Sequence, residues 1–269
     1  MLYQDFVKRL TENEDIISVC QEFYMKTKSQ IQRNIYKYYS LNGNLKLNSQ
    51  KLECLEKKKI YTSCRDEFND PYDDKGYIYD RNIVKDYAKH FGMIWQLEDI
   101  YPDFKRFCCF TQSGINNMSM WAHYANNHQG YCVEYGEENN FELYSMLLPV
   151  EYVRQKIDLT DMICNRLNMV KKQQNSKLLE DALEWCSIFL SNIKHESWES
   201  EKELRFCCSN NSPEMPYFKA IPNKIYIGSM CSKEYEDRLI QIGKGLNTPV
   251  YKMELDAQER EYILRPREL

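Results

Sequence analysis

The chain is poor in the residues from which several familiar sites are built. Only 9 of its 269 residues are glycine. Neither a Gly-x-Gly-x-x-Gly nor a Gly-x-x-x-x-Gly-Lys-Ser/Thr loop is present, so nucleotide binding of the Rossmann or P-loop kind is not expected. No Cys-x-x-Cys occurs among the 11 cysteines, which removes the strongest zinc pattern, and no metal is expected. The cysteines are also too sparse in so long a chain for a disulfide scaffold. No apolar run reaches the ~18 residues that a bilayer-spanning helix needs. Asp5, Lys8, Arg9, Glu12, Glu14 and Asp15 interrupt the first twenty residues, leaving no room for the apolar stretch of a secretory signal. Basic and acidic residues nearly balance, 36 against 40, for a net charge of −4. A dedicated duplex-binding protein needs a basic field and is therefore disfavoured. These absences together predict a reduced, soluble, cytoplasmic protein with no membrane partner.

What is present suffices for a core: 43% of the residues are apolar and 28% charged, close to the globular average. The length is near twice the ~150 residues typical of one domain. Apolar spacing predicts a helix over Tyr3 to Lys28, broken near Asn13, and a strand over Ile35 to Tyr39. A helix over Asn48 to Lys57 and a strand over Lys59 to Ser63 follow. Asp66 to Gly76 is rich in turn formers. Further on come a helix over Tyr79 to Trp95, a strand over Lys105 to Thr111, a short helix over Asn117 to Asn126 and a strand over Tyr131 to Tyr135. Pro149 to Val153 reads as a strand, and Leu159 to Ile193 as one long helix or two. Strands at Lys202 to Cys208, Lys224 to Ile227 and Val250 to Glu254 flank a helix at Lys233 to Lys244. With no repeat, flexible linker or composition shift, the pattern is α+β, with a mixed, mainly antiparallel sheet in a single domain over 1–269. Residues 1–30 form a helical extension, and 35–255 a core carrying a helical insertion at 158–193.

Two segments bear chemistry. In Lys194 to Cys208, a strand extended back to Glu201 would put Glu201, Glu203 and Arg205 on one face and Leu204, Phe206 and Cys208 on the core face. Paired carboxylates raise one another's pKa and a neighbouring Arg opposes that. Such a set can hold a ribose hydroxyl, steady a developing cation or exchange protons; the plain alternative is a solvated strand face. Trp198 beside it suits the lining of a cleft. In Asn117 to Gly130, Met118, Trp121, Ala122 and Ala125 form an apolar stripe, with Ser119, His123 and Asn126 on another face. His123 can serve as a general acid or base. His123 and His128 stand five apart, not at the i,i+4 spacing of a zinc helix, and Gly130 reads as a left-handed helix cap. Pro71 holds Asp70 out of the helical region, so Asn69 and Asp70 fix a turn and can present themselves to a ligand. Tyr38 shares a strand face with Tyr36 and Ser40. The adjacent pairs Cys108-Cys109 and Cys207-Cys208 should each turn one thiol into the core.

Tyr36-Lys37-Tyr38-Tyr39-Ser40, Phe68-Asn69-Asp70-Pro71-Tyr72, Phe110-Thr111, Met120-Trp121-Ala122-His123-Tyr124-Ala125 with His128 and Gly130, and then Lys194, Trp198, Glu201, Glu203, Arg205 and Ile227-Gly228 occur in order. Together they resemble the bacterial domain-of-unknown-function family 2971 over about residues 35 to 230. That family commonly has Arg where this chain has Tyr39, so no role of that Arg carries over. The strand–helix–strand opening and the late Glu-x-Glu are also similar to the ADP-ribosyltransferase plan. By that resemblance Tyr38 would hold the NAD ribose or amide, and Ser63 or Tyr61 would support the nicotinamide end. Glu201 or Glu203 would steady the oxocarbenium-like transition state. The first strand has no His or Arg, so a tyrosine hydroxyl would replace the usual nicotinamide-side contact.

The resemblance implies an NAD-using ADP-ribosyltransferase or NAD glycohydrolase, a toxin or phage-defence effector whose substrate is a small nucleotide and whose acceptor is unnamed. One alternative is a Mg-dependent nuclease built on Asp70 with Glu201-Lys202 or Glu199-x-Glu201. The other is a non-enzymatic ligand-binding or regulatory domain with Trp121, His123 and Trp198 lining a groove.

Overall fold

A computed structural model describes residues 2–12, 15–64, 67–68, 70, 72–73, 75–90, 105–175, 177–209, 216–256 and 258–269. The first half of the chain forms α1 (Leu2–Thr11), α2 (Ile16–Lys28), β1 (Asn34–Tyr39), α3 (Leu45–Glu56), β2 (Lys59–Tyr61), β3 (Tyr77–Ile78), α4 (Arg81–His90), β4 (Lys105–Thr111), α5 (Met118–Tyr124) and β5 (Tyr131–Gly136). Then follow α6 (Phe141–Ser145), β6 (Leu147–Pro149), β7 (Glu151–Val153), β8 (Ile157–Asp158), α7 (Thr160–Gln173), α8 (Lys177–Leu190), β9 (Ile193–His195) and β10 (Glu203–Ser209). The chain ends with β11 (Tyr217–Lys219), β12 (Lys224–Ile227), α9 (Lys233–Leu246), β13 (Val250–Leu255) and β14 (Leu264–Glu268). The architecture is α+β, and two compact units can be distinguished, each assembled from three stretches of chain.

The first unit comprises Met1–Ile31, Cys64–Lys105 and Leu148–Glu199. Tyr3, Phe6, Val7 and Leu10 recur at helical spacing on α1 and are all buried, the amphipathic pattern of a core-facing helix. Asp15 caps α2, its carboxylate accepting the Ser18 N–H at 2.9 Å. Phe6, Phe23 and Phe189 meet with ring centroids 4.5–4.9 Å apart. Each such pair adds about 1 kcal/mol beyond its buried area. Arg166 of α7, 1% exposed, donates from Nη2 to the Leu10 carbonyl at 2.9 Å, satisfying one of the carbonyls that a helix end leaves unpaired. The helical extension and the helical insertion thus share one hydrophobic core. Gln174, left-handed at φ 51°, closes α7, and the polar segment 159–193 is two helices. The helix read over Tyr79 to Trp95 is seen as α4, and its residues 91–95 lie outside the described residues.

The second unit comprises Gln32–Ser63, Arg106–Leu147 and Ser200–Leu269. Its sheet runs β14-β13-β12-β5-β1-β4-β10-β6, with β6 beginning in this unit at Leu147. β1 lies antiparallel between β4 and β5, and β5 pairs antiparallel with β12. β12 and β13 are parallel and are joined through α9, the crossover that parallel neighbours require. Every residue of β5 is buried, as befits a central strand covered on both faces. One face carries Ile35, Tyr39, Tyr131, Val133 and Tyr135, with Tyr39 stacked on Tyr131 at 4.8 Å. The other carries α5 and a cluster of Tyr38, Met120, Trp121, Ala125, Cys132, Tyr226, Met253 and Leu264.

Several local expectations are corrected. The strand read over Lys59 to Ser63 stops at Tyr61 and pairs with β11, while Ser63 makes one isolated bridge to Phe107. Pro149 to Val153 is two strands, not one, because β7 pairs with β9. The left-handed turn after α5 is not at Gly130: Asn126, Asn127 and His128 take it in succession, at φ 49°, 52° and 65°. Gly130 is needed for another reason, since a Cβ there would lie 2.0 Å from the Tyr39 carbonyl oxygen. Each left-handed non-glycine residue costs about 1–2 kcal/mol. The turn is held by the His128 N–H on Trp121 O at 3.1 Å and by the Asn126 side chain on Leu41 O at 2.6 Å.

Candidate functional site

The late acidic segment departs from a simple strand at one residue. Lys202 is left-handed, at φ 46°, and separates a 3-10 turn ending at Glu201 from β10, which starts at Glu203. Glu201 is therefore off the strand, and only Glu203 and Arg205 share a strand face by alternation. That face is not solvated: Glu203 is 6% and Arg205 0% exposed, as buried as Leu204 and Phe206 opposite. Arg205 Nε lies 2.7 Å from Glu203 Oε1 and Nη2 3.3 Å from Oε2, a two-pronged bond that occupies both carboxylate oxygens.

Glu201 is held from two elements. Its carboxylate accepts the Tyr124 hydroxyl of α5, and its carbonyl accepts the Thr111 hydroxyl at the end of β4. Asn117 fixes the neighbouring geometry, its Oδ1 capping α5 at the Met120 N–H and its Nδ2 donating to Ser200 O at 2.9 Å. Thr111 also receives the Ser113 N–H at 2.9 Å.

Cross-strand register joins these groups into a polar row. Thr111 is opposite Tyr36, Tyr36 is opposite Glu134, and Glu134 is opposite Lys224. Directly opposed residues point to the same face, about 5 Å apart. Glu134, 3% exposed, accepts the Tyr226 hydroxyl at 2.8 Å, pairs with Lys224 Nζ at 3.2 Å and stands opposite Tyr36 in the register. Burial, reinforced by Glu134, pushes the Tyr36 phenol well above its usual range. Cys109 sits two residues from Thr111 and so on the same face. Burial and then the adjacent Glu203 hold its thiol protonated, far above the ordinary value. Glu203 and Arg205 extend the row at this end. The row was missed in the sequence, although a lone Glu within the apolar run of β5 is itself a signal.

The remaining candidates are distributed as follows. Tyr38 turns its hydroxyl to Gly114 O at 2.7 Å and its ring edge-on to Trp121, so Tyr36 is the tyrosine of β1 that stands opposite a carboxylate. Ser40 accepts the Lys51 ammonium at both its carbonyl and its hydroxyl. Tyr61 is 39% exposed on β2 and meets the Tyr217 ring edge-on. The Ser63 N–H and C=O both pair with Phe107. Trp121 is fully buried, its Nε1 donating to Ile115 O at 2.8 Å, and serves as the floor of α5. His123 is exposed on the last turn of α5. His128 stacks on Trp121 and is pushed below the usual imidazole value by burial. Asp70 and Trp198 belong to the first unit. Asp70 Oδ1 accepts the Tyr72 N–H at 2.8 Å, an Asx turn, and Lys194 Nζ stands 4.7 Å over the Trp198 ring. Asn69 lies outside the described residues. Of each cysteine pair one thiol is buried, Cys108 and Cys208, and all eleven cysteines are free. Among the described residues no three His, Cys, Asp or Glu side chains gather as a metal site, and no helix is long and apolar enough to cross a membrane.

No curated protein and no solved structure matches the chain. A family model matches from α5 to β10, the span that contains Trp121, Tyr124, Glu134, Glu201, Glu203 and Arg205. Over residues 120–206 the chain is similar to the family described as Protein of unknown function (DUF2971).

Proposed function

We propose that this chain breaks the N-glycosidic bond of NAD, as an ADP-ribosyltransferase or NAD glycohydrolase, with Glu201 as the carboxylate beneath the developing positive charge. The observation that supports the reading is the placement of Glu201, oriented by the Tyr124 hydroxyl and anchored at Thr111, beside a sheet face that also carries Tyr36 and Glu134. Fixed carboxylates on a partly dry surface favour a substrate whose ribose becomes cationic as the bond breaks, without reorganisation at that moment. The C–N electron pair leaves with nicotinamide. The ribosyl carbon is then taken by water or by an acceptor nucleophile, which gives up its proton. Glu203 has both oxygens on Arg205, which suits it to shaping the site. As part of the same proposal we assign the chain the role of a toxin or phage-defence effector.

Nicotinamide release from NAD by the purified protein, with and without bacterial lysate, tests the reading. Release should fall about a hundredfold or more in Glu201→Gln, with the circular dichroism of the folded protein retained. Silence in the wild type, or full release in Glu201→Gln, overturns it. Saturable NAD binding without release would leave a ligand-binding domain. Chelator-sensitive turnover of nucleic acid would make the chain a nuclease.

A further inference from the structure

The sheet face turned away from Glu134 carries hydrogen-bond donors with no acid to receive them. Lys37 of β1 sends its ammonium to Cys109 O at 3.1 Å, over the rings of Tyr39 and Phe110 at 5.5 and 5.7 Å. Lys51 of α3 reaches Ser40, just past the end of the same strand, 2.7 Å from its carbonyl and 2.9 Å from its hydroxyl oxygen. An ammonium has three protons to give and a hydroxyl one. Lys37 spends one of its three on Cys109, and Lys51 spends two on Ser40. Ser40 receives at Oγ, so its own proton remains to be given.

Neither ammonium has an ion-pair partner among the described residues. Burial opposes the Lys37 charge, but the thiols of Cys108 and Cys109 and then Glu203 outweigh it and hold the ammonium above its ordinary range. Glu203 itself has both oxygens on Arg205. Burial, and then Lys37, push Lys51 below its ordinary range. Lys37, Tyr39, Ser40 and Lys51 are all half-buried, neither sealed in the core nor freely solvated. Half-buried cations that repel each other and face no carboxylate are stabilised by an anion.

We propose that Lys37, Lys51 and Ser40 bind a phosphoryl group, on the face of the sheet turned away from Tyr36 and Glu134. The two lysines act as point charges that match its two negative charges, and the Ser40 hydroxyl donates to a further oxygen. A carboxylate carries one charge and would leave one ammonium unmatched. The site has a ligand of its own and does not depend on NAD cleavage.

Thermal melts of the whole chain in inorganic phosphate are compared with melts in chloride at equal ionic strength. The proteins are wild type, Lys37→Met, Lys51→Met and Lys46→Met, and calorimetry measures phosphate binding directly. Methionine keeps a long apolar stem and removes the charge. Phosphate at about ten times its dissociation constant should raise the wild-type melting temperature by about 3 °C. Lys37→Met and Lys51→Met should each weaken phosphate binding at least about tenfold and lose that rise. Lys46 is exposed on the same helix, so Lys46→Met reports the general effect of the salt and should keep the rise. AMP in place of phosphate separates the two sources of the group. Tighter binding of AMP, lost in Lys51→Met, assigns a phosphomonoester, and weaker or equal binding assigns the free ion; both keep the site. If Lys37→Met fails to fold, Lys51→Met and the calorimetry decide. A wild type that binds neither ligand, or an equal rise in all four proteins, overturns the proposal and leaves Lys51 as a strut between α3 and Ser40.

Discussion

Arg205 lies against the carboxylate of Glu203, its next-but-one neighbour on β10, through two hydrogen bonds in a place where neither side chain reaches solvent. Breaking such a pair from one side leaves a buried charge uncompensated, whereas replacing both members by apolar groups of similar size can be nearly neutral. Arg205→Met should cost about 3–5 kcal/mol of stability, and the double variant Glu203→Leu, Arg205→Met should recover most of it. Urea unfolding of the three proteins measures this. Additive losses would show that the two charges do not depend on one another.

Glycine positions give a second contrast. A Cβ on Gly130 would lie 2.0 Å from Tyr39 O, and one on Gly228 2.2 Å from His128 O, both backbone atoms, whereas around Gly245 of α9 nothing stands within 4 Å. Gly130→Ala and Gly228→Ala should each destabilise by more than about 2 kcal/mol through forced backbone movement. Gly245→Ala should stabilise by about 0.5–1 kcal/mol through its helix propensity. Thermal melts of the three variants suffice, and similar shifts for all three would refute the packing argument.

Tyr38→Phe keeps the ring against Trp121 and loses only the bond to Gly114 O. It should cost about 1 kcal/mol of stability and leave nicotinamide release unchanged. Loss of release with unaltered stability would give Tyr38 the substrate contact that the resemblance implies.

Buried thiols make the fold sensitive to base. Burial pushes Cys20, Cys186 and Cys208 up to about 12, from an ordinary value of 9.0. The folded state therefore keeps these protons where the unfolded chain releases them. Their contribution is complete below pH 9 and is lost as pH rises toward about 12, at up to about 1.4 kcal/mol per unit for each thiol. Denaturant titrations under reducing conditions between pH 7 and 10.5 should show falling stability above pH 9. Cys186→Ala should lower stability at pH 7 yet flatten that fall. An equally steep fall in the variant would remove the thiol from the explanation.

The strands and helices that could be read directly are those where one periodicity dominates. Tyr3, Phe6, Val7 and Leu10 give α1, and Ile35 to Tyr39 gives β1. β14 could not be read, because Leu264 is its one buried residue and Arg265, Pro266, Arg267 and Glu268 are exposed; it is an edge strand whose charges and proline resist further pairing. The acidic motif was found, but its geometry was not. A left-handed Lys202 has no sequence signature, and the residue that separates Glu201 from β10 looks like any surface lysine. Glu134 was overlooked because its partners, Tyr36, Lys224 and Tyr226, come from strands distant in sequence. Only the register of β1, β5 and β12 reveals them.

The core shared by α1, α7 and α8 sets an order of events during synthesis. Tyr3 bonds Pro149, Thr11 bonds Asn165 and Leu10 bonds Arg166, across 146, 154 and 156 residues. α1 therefore waits, its apolar face uncovered, until the partners 146 to 156 residues further on have been translated. Closing loops of that length is slow, and exposed helical surface in the interval is what holdase chaperones bind. Chaperone supply during that interval therefore bears on the yield of native protein.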